Sequence, residues 1–199
     1  MDTIKMNIPT FLHRLWNIHL LPAQEWISIR DEKHNNSLLF WGWSFPLILI
    51  MALAAIVGNT VVETQSDFKI SHLLLSSFFI IVFSTISLFL SAWVVKSIAS
   101  QSVSNHPFNA AFRLIAYSYS AGFTANSLAF LFPNYSFLSL LGLYSFYLIW
   151  HGLGPILNIS KDKKSGYFTF IVIGLITIYV VLGLILTSLL SIYSNSNTI

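Results

Sequence analysis

The chain has 199 residues, of which 55% are hydrophobic and only 9% charged, with a mean hydropathy of +0.73. Soluble domains run to about 25% charged residues, so this composition excludes an ordinary soluble domain and points to an integral membrane protein. The absence of cysteine excludes disulfides, thiol catalysis and Cys-based metal sites, and the net charge of +3 reflects topology, not a nucleic-acid footprint.

Residues 1–37 are too polar to span, and they carry neither the short apolar core nor the small-residue cleavage site of a signal peptide. The mature chain is therefore expected to start at or near Met1. Ile8, Phe11, Leu12, Leu15 and Trp16 follow helical spacing, with Lys5, His13 and Arg14 off that face. Pro22 suits the first turn of a second short helix carrying Trp26, Ile27 and Arg30, which ends in the run Arg30-Asp31-Glu32-Lys33. Amphipathic helices with tryptophan and basic residues lie in the membrane interface. Phe11, Leu15, Trp16 and Trp26 are accordingly the candidate interface residues, the alternative being helices packed on the protein's own inner loops.

Five apolar runs follow, each near the roughly 20 residues that cross a bilayer. The fold class is thus all-α, a polytopic membrane protein of five spans preceded by short amphipathic helices, with a membrane domain over 38–193 and a tail over 194–199. The first span covers about 38–58 with Pro46 inside it, and the second about 70–99, rich in serine. The third, 108–132, carries Arg113, Tyr117, Ser120, Thr124 and Ser127 as one helical stripe. Beside it runs a small-residue row, Ala121, Ala125 and Ala129, of the kind that lets helices approach closely in lipid. A turn at Pro133-Asn134-Tyr135 leads to the fourth, 136–159, where Tyr144, Tyr147 and His151 share a face before an expected break at Gly152–Pro155. The fifth, 167–192, is nearly featureless and reads as the most lipid-exposed. Lipid offers no partners for polar side chains, so the faces of the third and fourth spans should meet protein.

Positive charge fixes the expected orientation. With the N-terminus cytoplasmic, the inner side collects Lys5, Arg14, Arg30, Lys33, Lys96, Arg113, Lys161, Lys163 and Lys164, and the outer side only Lys69. The tryptophans also gather toward the inner face.

The sequence has no HExxH, GxSxG, paired intramembrane aspartates or phosphate-cradling glycine loop, and its histidines lack metal-ligand spacing. No enzyme activity and no cofactor are expected. Arg113 and His151 stand out as ionisable groups within spans. Arg113 either snorkels to the inner interface or takes part in a relay, and His151 is either a structural hydrogen-bonding group or its partner. At about 1.5 Å rise per residue, both fall in the inner half, so a polar seam is expected where they lie near each other, with Tyr117, Tyr144 and Tyr147 close by.

The segment NAAFRLIAYSYSA (109–121) resembles the signature that opens the third span of the Yip family, named for Ypt/Rab-GTPase-interacting proteins. LGLYSFYLIWHGLGPILNISKDKKSGY (141–167) is similar to that family's fourth span and the lysine-bearing loop after it. LWNIHLLPAQEWISIRDE (15–32) is similar to the proline-containing N-terminal segment of prokaryotic members. Ala121 and His151 depart from the usual pattern. The resemblance implies five spans and a cytosolic N-terminus. Eukaryotic relatives act in Golgi and endosomal traffic and bind Rab GTPases, but the short N-terminal region here fits a bacterial inner-membrane protein with its C-terminus outside, the alternative being a Golgi or endosomal membrane if the chain is eukaryotic, so fold and topology carry over and GTPase binding does not. The expected function is non-enzymatic organisation of membrane or partner proteins at the cytoplasmic face. The alternative is a small transporter or channel using the polar seam. The bilayer, other membrane proteins or a second copy are the expected partners, with no nucleic acid.

Overall fold

The computed structural model describes residues 8–32, 35–62, 70–99 and 107–196. Lys5, Lys33, Glu63, Asp67, Lys69 and residues 197–199 of the expected tail lie outside them. The described residues are helical apart from short breaks at 21, 32, 35, 132 and 158–160, with no strand among them. Helix α1 (Ile8–Leu20) and α2 (Pro22–Asp31, with Pro22 in its first turn) form an N-terminal hairpin. The first long rod begins as α3 (Asn36–Leu39), whose Asn35 side chain accepts a hydrogen bond from the Ser37 N–H, and continues as α4 (Phe45–Val62). Between them Phe40–Ser44 widens into a π-turn, with the Phe45 N–H bonding the Phe40 carbonyl. Pro46 lacks a donor, and its ring crowds the carbonyl four residues back, so a widened turn is a local way to keep the rod continuous.

Helix α5 spans Ile70–Ala99, as the apolar run predicts, and α6 spans Pro107–Leu131. The fourth apolar run differs from expectation. Its first part, Pro133–Leu143, is a 3-10 helix with Tyr135 off helical geometry, and only Tyr144–Leu157 is α-helical (α7). The expected break at Gly152–Pro155 does not occur. Pro155 is accommodated near the end of α7, and the helix stops at Asn158, in left-handed geometry at φ 54°. The Asn158 and Ile159 N–H groups then bond the Gly154 and Leu153 carbonyls, which closes the end. The lysines expected in a loop before the last span instead open α8, which runs from Lys161 to Ser196 and so passes the expected tail boundary.

Among the described residues, four stretches are long and apolar enough to cross a membrane: Asn36–Thr60, Leu73–Ala99, Pro133–Leu157 and Lys161–Leu189. The stretch expected as the third span is not among them, because Asn109, Arg113, Asn126 and the serines of α6 lower its hydropathy. Its place in the fold explains why it can be so polar. From Ala111 to Phe123 every residue except Arg113 is buried, enclosed by α4, α5, α7 and the 3-10 run. Ala121, Ala125 and Ala129 are buried too, and Gly142 of the 3-10 run lies so close that an added Cβ would stand 3.4 Å from the Gly122 Cα. By contrast, only 17% of the α8 window is buried, against 44% for the first, so α8 is the least enclosed of these four stretches.

Candidate functional site

The polar stripe of α6 divides into two functional halves. Ser120, Thr124 and Ser127 donate to carbonyls one turn back on their own helix, those of Tyr117, Ser120 and Phe123 at 2.6, 2.9 and 2.7 Å. Such back-bonding satisfies a hydroxyl in an apolar setting without any external partner. Arg113 and Tyr117 instead reach across to the N-terminal hairpin.

Tyr117 is fully buried and is the hub of the contact. The Arg14 guanidinium donates to its hydroxyl at 3.0 Å and lies 5.7 Å from its ring centre. Trp26 meets the ring edge-on at 6.2 Å, and Trp43 packs on it at 4.9 Å while donating its indole N–H to the Ala116 carbonyl at 3.2 Å. Arg14 also forks onto both carboxylate oxygens of Glu32, and its Nε lies 3.6 Å from Glu25. The Arg14, Glu25 and Glu32 side chains are only 11%, 11% and 16% exposed. Burial disfavours the charge on Arg14, but the hydrogen bonds to Glu32 and Tyr117 outweigh it and hold the pKa above the usual guanidinium value. With Arg113 nearby, two guanidinium groups face two carboxylates, so the cluster is electrically balanced.

Arg113 donates to the Ile29 carbonyl at 3.2 Å and to the Arg30 carbonyl at 3.4 Å. These belong to the last turn of α2, where unpaired carbonyls and the negative end of the helix dipole favour a cation. On α7, Tyr144 donates to the His19 carbonyl at 2.7 Å and stacks on the His19 ring at 6.1 Å. The two helix C-termini of the hairpin are therefore each held by one side chain of the membrane domain.

The residues expected to form one seam divide between the N-terminal hairpin and their own helices. Tyr144, Tyr147 and His151 do line one face, with ring separations of 5.0 and 4.2 Å. His151, however, bonds the Tyr147 carbonyl of its own helix at 3.0 Å, while Arg113 is engaged by α2. Tyr147 is half exposed, whereas Tyr117 is buried. Of the candidate interface residues, Trp26 lies fully inside the protein, against Leu114 and Gly152. Phe11 and Leu15 are half-buried against the core, Phe11 resting 5.0 Å from Trp43, and Trp16 is 69% exposed.

Arg14, Glu25, Glu32 and Trp43 were not legible as site residues. Arg14 does not lie off the packed face of α1; it follows Phe11 by three positions and precedes Ile18 by four, which places it among the inward residues. That spacing was the available signal.

A family model described as the Yip1 domain matches residues 16–196, nearly the whole chain, beginning within α1. No curated protein and no solved structure matches.

Proposed function

The chain belongs to the Yip1 domain family, and from that premise we propose that it organises membrane or partner proteins at the cytoplasmic face of a bacterial inner membrane, without enzymatic activity. In this reading α6 is a fifth span, the N-terminus is cytoplasmic and the C-terminus is outside. The distribution of lysine and arginine supports that orientation. Trp41 and Trp93, exposed within about two turns of the same end of the bundle, fit a membrane interface at that end, as interfacial tryptophans do, without choosing its side.

The observation that carries the reading is the use made of the polar groups in α6 and α7. Arg113, Tyr117 and Tyr144 hold a helical hairpin in place, and His151 bonds its own helix. Two cavities of about 210 and 300 Å³ flank the outer half of α8 and share Asn126 and Tyr179, but neither Arg113 nor His151 lines them. A carrier needs such groups facing a water-filled path, so the conducting alternative is the weaker one.

The test has two arms. Reporter fusions after Lys33, Lys69, Ser100, Asn134, Lys163 and Asn195 should alternate in, out, in, out, in, out. A photoreactive residue at Ser28, exposed on α2, should capture a defined protein in native membranes. A cytoplasmic C-terminus overturns the topology. Solute flux through proteoliposomes that His151→Leu abolishes overturns the organising role.

A further inference from the structure

The contacts of α1 fall at successively greater depth in the membrane domain. Phe11 packs on Trp43, seven positions after Asn36, about 10 Å along that rod. Arg14 bonds Tyr117, ten positions after Pro107, about 15 Å in. His19 is held by Tyr144, thirteen positions before Leu157, about 20 Å in. Trp43 and Tyr117 are themselves in ring contact, the starts of α3 and α6 are tied by the Asn36–Asn109 hydrogen bond at 2.9 Å, and Gly152, five positions before Leu157, faces Leu114, seven positions after Pro107, so the three depths are counted from about one level. Helix α2 then climbs back. Trp26 sits at Gly152, five positions before Leu157, and the Ile29 and Arg30 carbonyls meet Arg113, six positions after Pro107.

A hydrocarbon core is about 30 Å thick. We propose that α1 and α2 form a re-entrant hairpin that descends to about the bilayer midplane, with Ile8, Leu12, Trp16 and Leu20 lying against acyl chains of the leaflet on the N-terminal side. These residues form one i, i+4 row on the side of α1 away from the core and are 78%, 57%, 69% and 57% exposed. Leu21 at the tip is 51% exposed. The charged groups conform to this setting. Arg14, Glu25 and Glu32 turn into the protein, while the exposed pair Arg30–Asp31 sits at the exit of α2. Backbone in lipid must satisfy its own polar groups. The hairpin does so through its helices and the Tyr144 bond, with the Leu21 N–H on the Asn17 carbonyl at 2.7 Å and the Gln24 and Glu25 N–H groups on the Leu21 carbonyl. A helix lying flat on the surface could not make contacts that deepen along its length.

The chain lacks cysteine, so single-cysteine variants Leu12→Cys, Trp16→Cys and Leu20→Cys, with Arg30→Cys as reference, can carry a nitroxide in phosphatidylethanolamine–phosphatidylglycerol vesicles. Collision rates with oxygen and with a water-soluble nickel chelate report depth. The expected result is Arg30 shallowest and depth increasing from position 12 to 20 by about 12 Å, the rise of eight helical residues. Equal depth at all three positions means a surface helix and overturns the proposal, as does free access to the nickel chelate. Low collision with both reagents means that a second copy or another protein covers the row, which overturns the lipid assignment.

Discussion

Tyr144 donates a 2.7 Å hydrogen bond to the main-chain carbonyl of His19, across 125 positions of sequence. A carbonyl at the end of α1 has no partner on its own helix, so the tyrosine hydroxyl closes the hairpin tip where an apolar side chain could not. Tyr144→Phe removes the donor and keeps the ring. The expected loss is about 1 kcal/mol, the net worth of one hydrogen bond to a part-buried acceptor. It should appear as faster amide exchange in residues 8–31 with little change in α5 and α6. Unchanged exchange in the hairpin would show that the bond does not hold it.

The Arg14 cluster predicts a strongly asymmetric mutational response. Arg14→Met takes the Arg14 guanidinium away from the buried Glu25 and the half-buried Glu32, and removing one partner of a buried pair costs about 3–5 kcal/mol. Adding Glu32→Met to Arg14→Met should recover part of that loss, because it deletes a carboxylate that has lost its bonds to Arg14. Thermal denaturation of the purified protein in detergent reads both. A double variant less stable than Arg14→Met alone would contradict the coupling.

Arg113 acts on the two carbonyls at the end of α2, so its charge and reach both count. Arg113→Ala should lower stability by about 1–2 kcal/mol, combining the lost charged hydrogen bonds with the lost helix-end interaction. Arg113→Lys keeps the charge and one donor and should lie between the alanine variant and the parent. Folded yield and melting temperature are the measurements. Equal values for alanine and lysine would mean that position, not charge, matters there.

Close packing of α2 on α7 gives a steric test. A Cβ at Gly152 would stand 2.3 Å from Leu114 Cδ1 and 2.9 Å from Trp26 Cε2. Gly152→Ala should therefore cost about 1–3 kcal/mol through overpacking. At Gly166 a Cβ meets nothing within 4 Å, and Gly166→Ala should instead gain up to about 1 kcal/mol from helix propensity. Opposite shifts in melting temperature are the expected outcome.

What the sequence determined by itself were the class, the rods and the uneven charge. Runs of apolar residues longer than a bilayer is thick can satisfy their backbone in lipid only as helices, and α5 matches its predicted limits at both ends. The family membership was legible as well, carried by 109–121 and 141–167. Local chemistry revised the details, with Pro46 widening one turn and Asn158, not Gly152–Pro155, ending α7. Tertiary structure alone decided what the polar stripe is for. Periodicity put Ile8, Phe11, Leu12, Leu15 and Trp16 on one face of α1 with Arg14 off it, whereas the structure splits that face, leaving Ile8, Leu12 and Trp16 exposed and packing Phe11 and Leu15 beside Ile18 and Arg14. Nothing in a single helix says which part of a face turns inward. Arg14 and Trp26 turn inward because Tyr117, Glu32, Leu114 and Gly152, distant in sequence, together offer paired charge and a matching cavity that neither lipid nor water supplies.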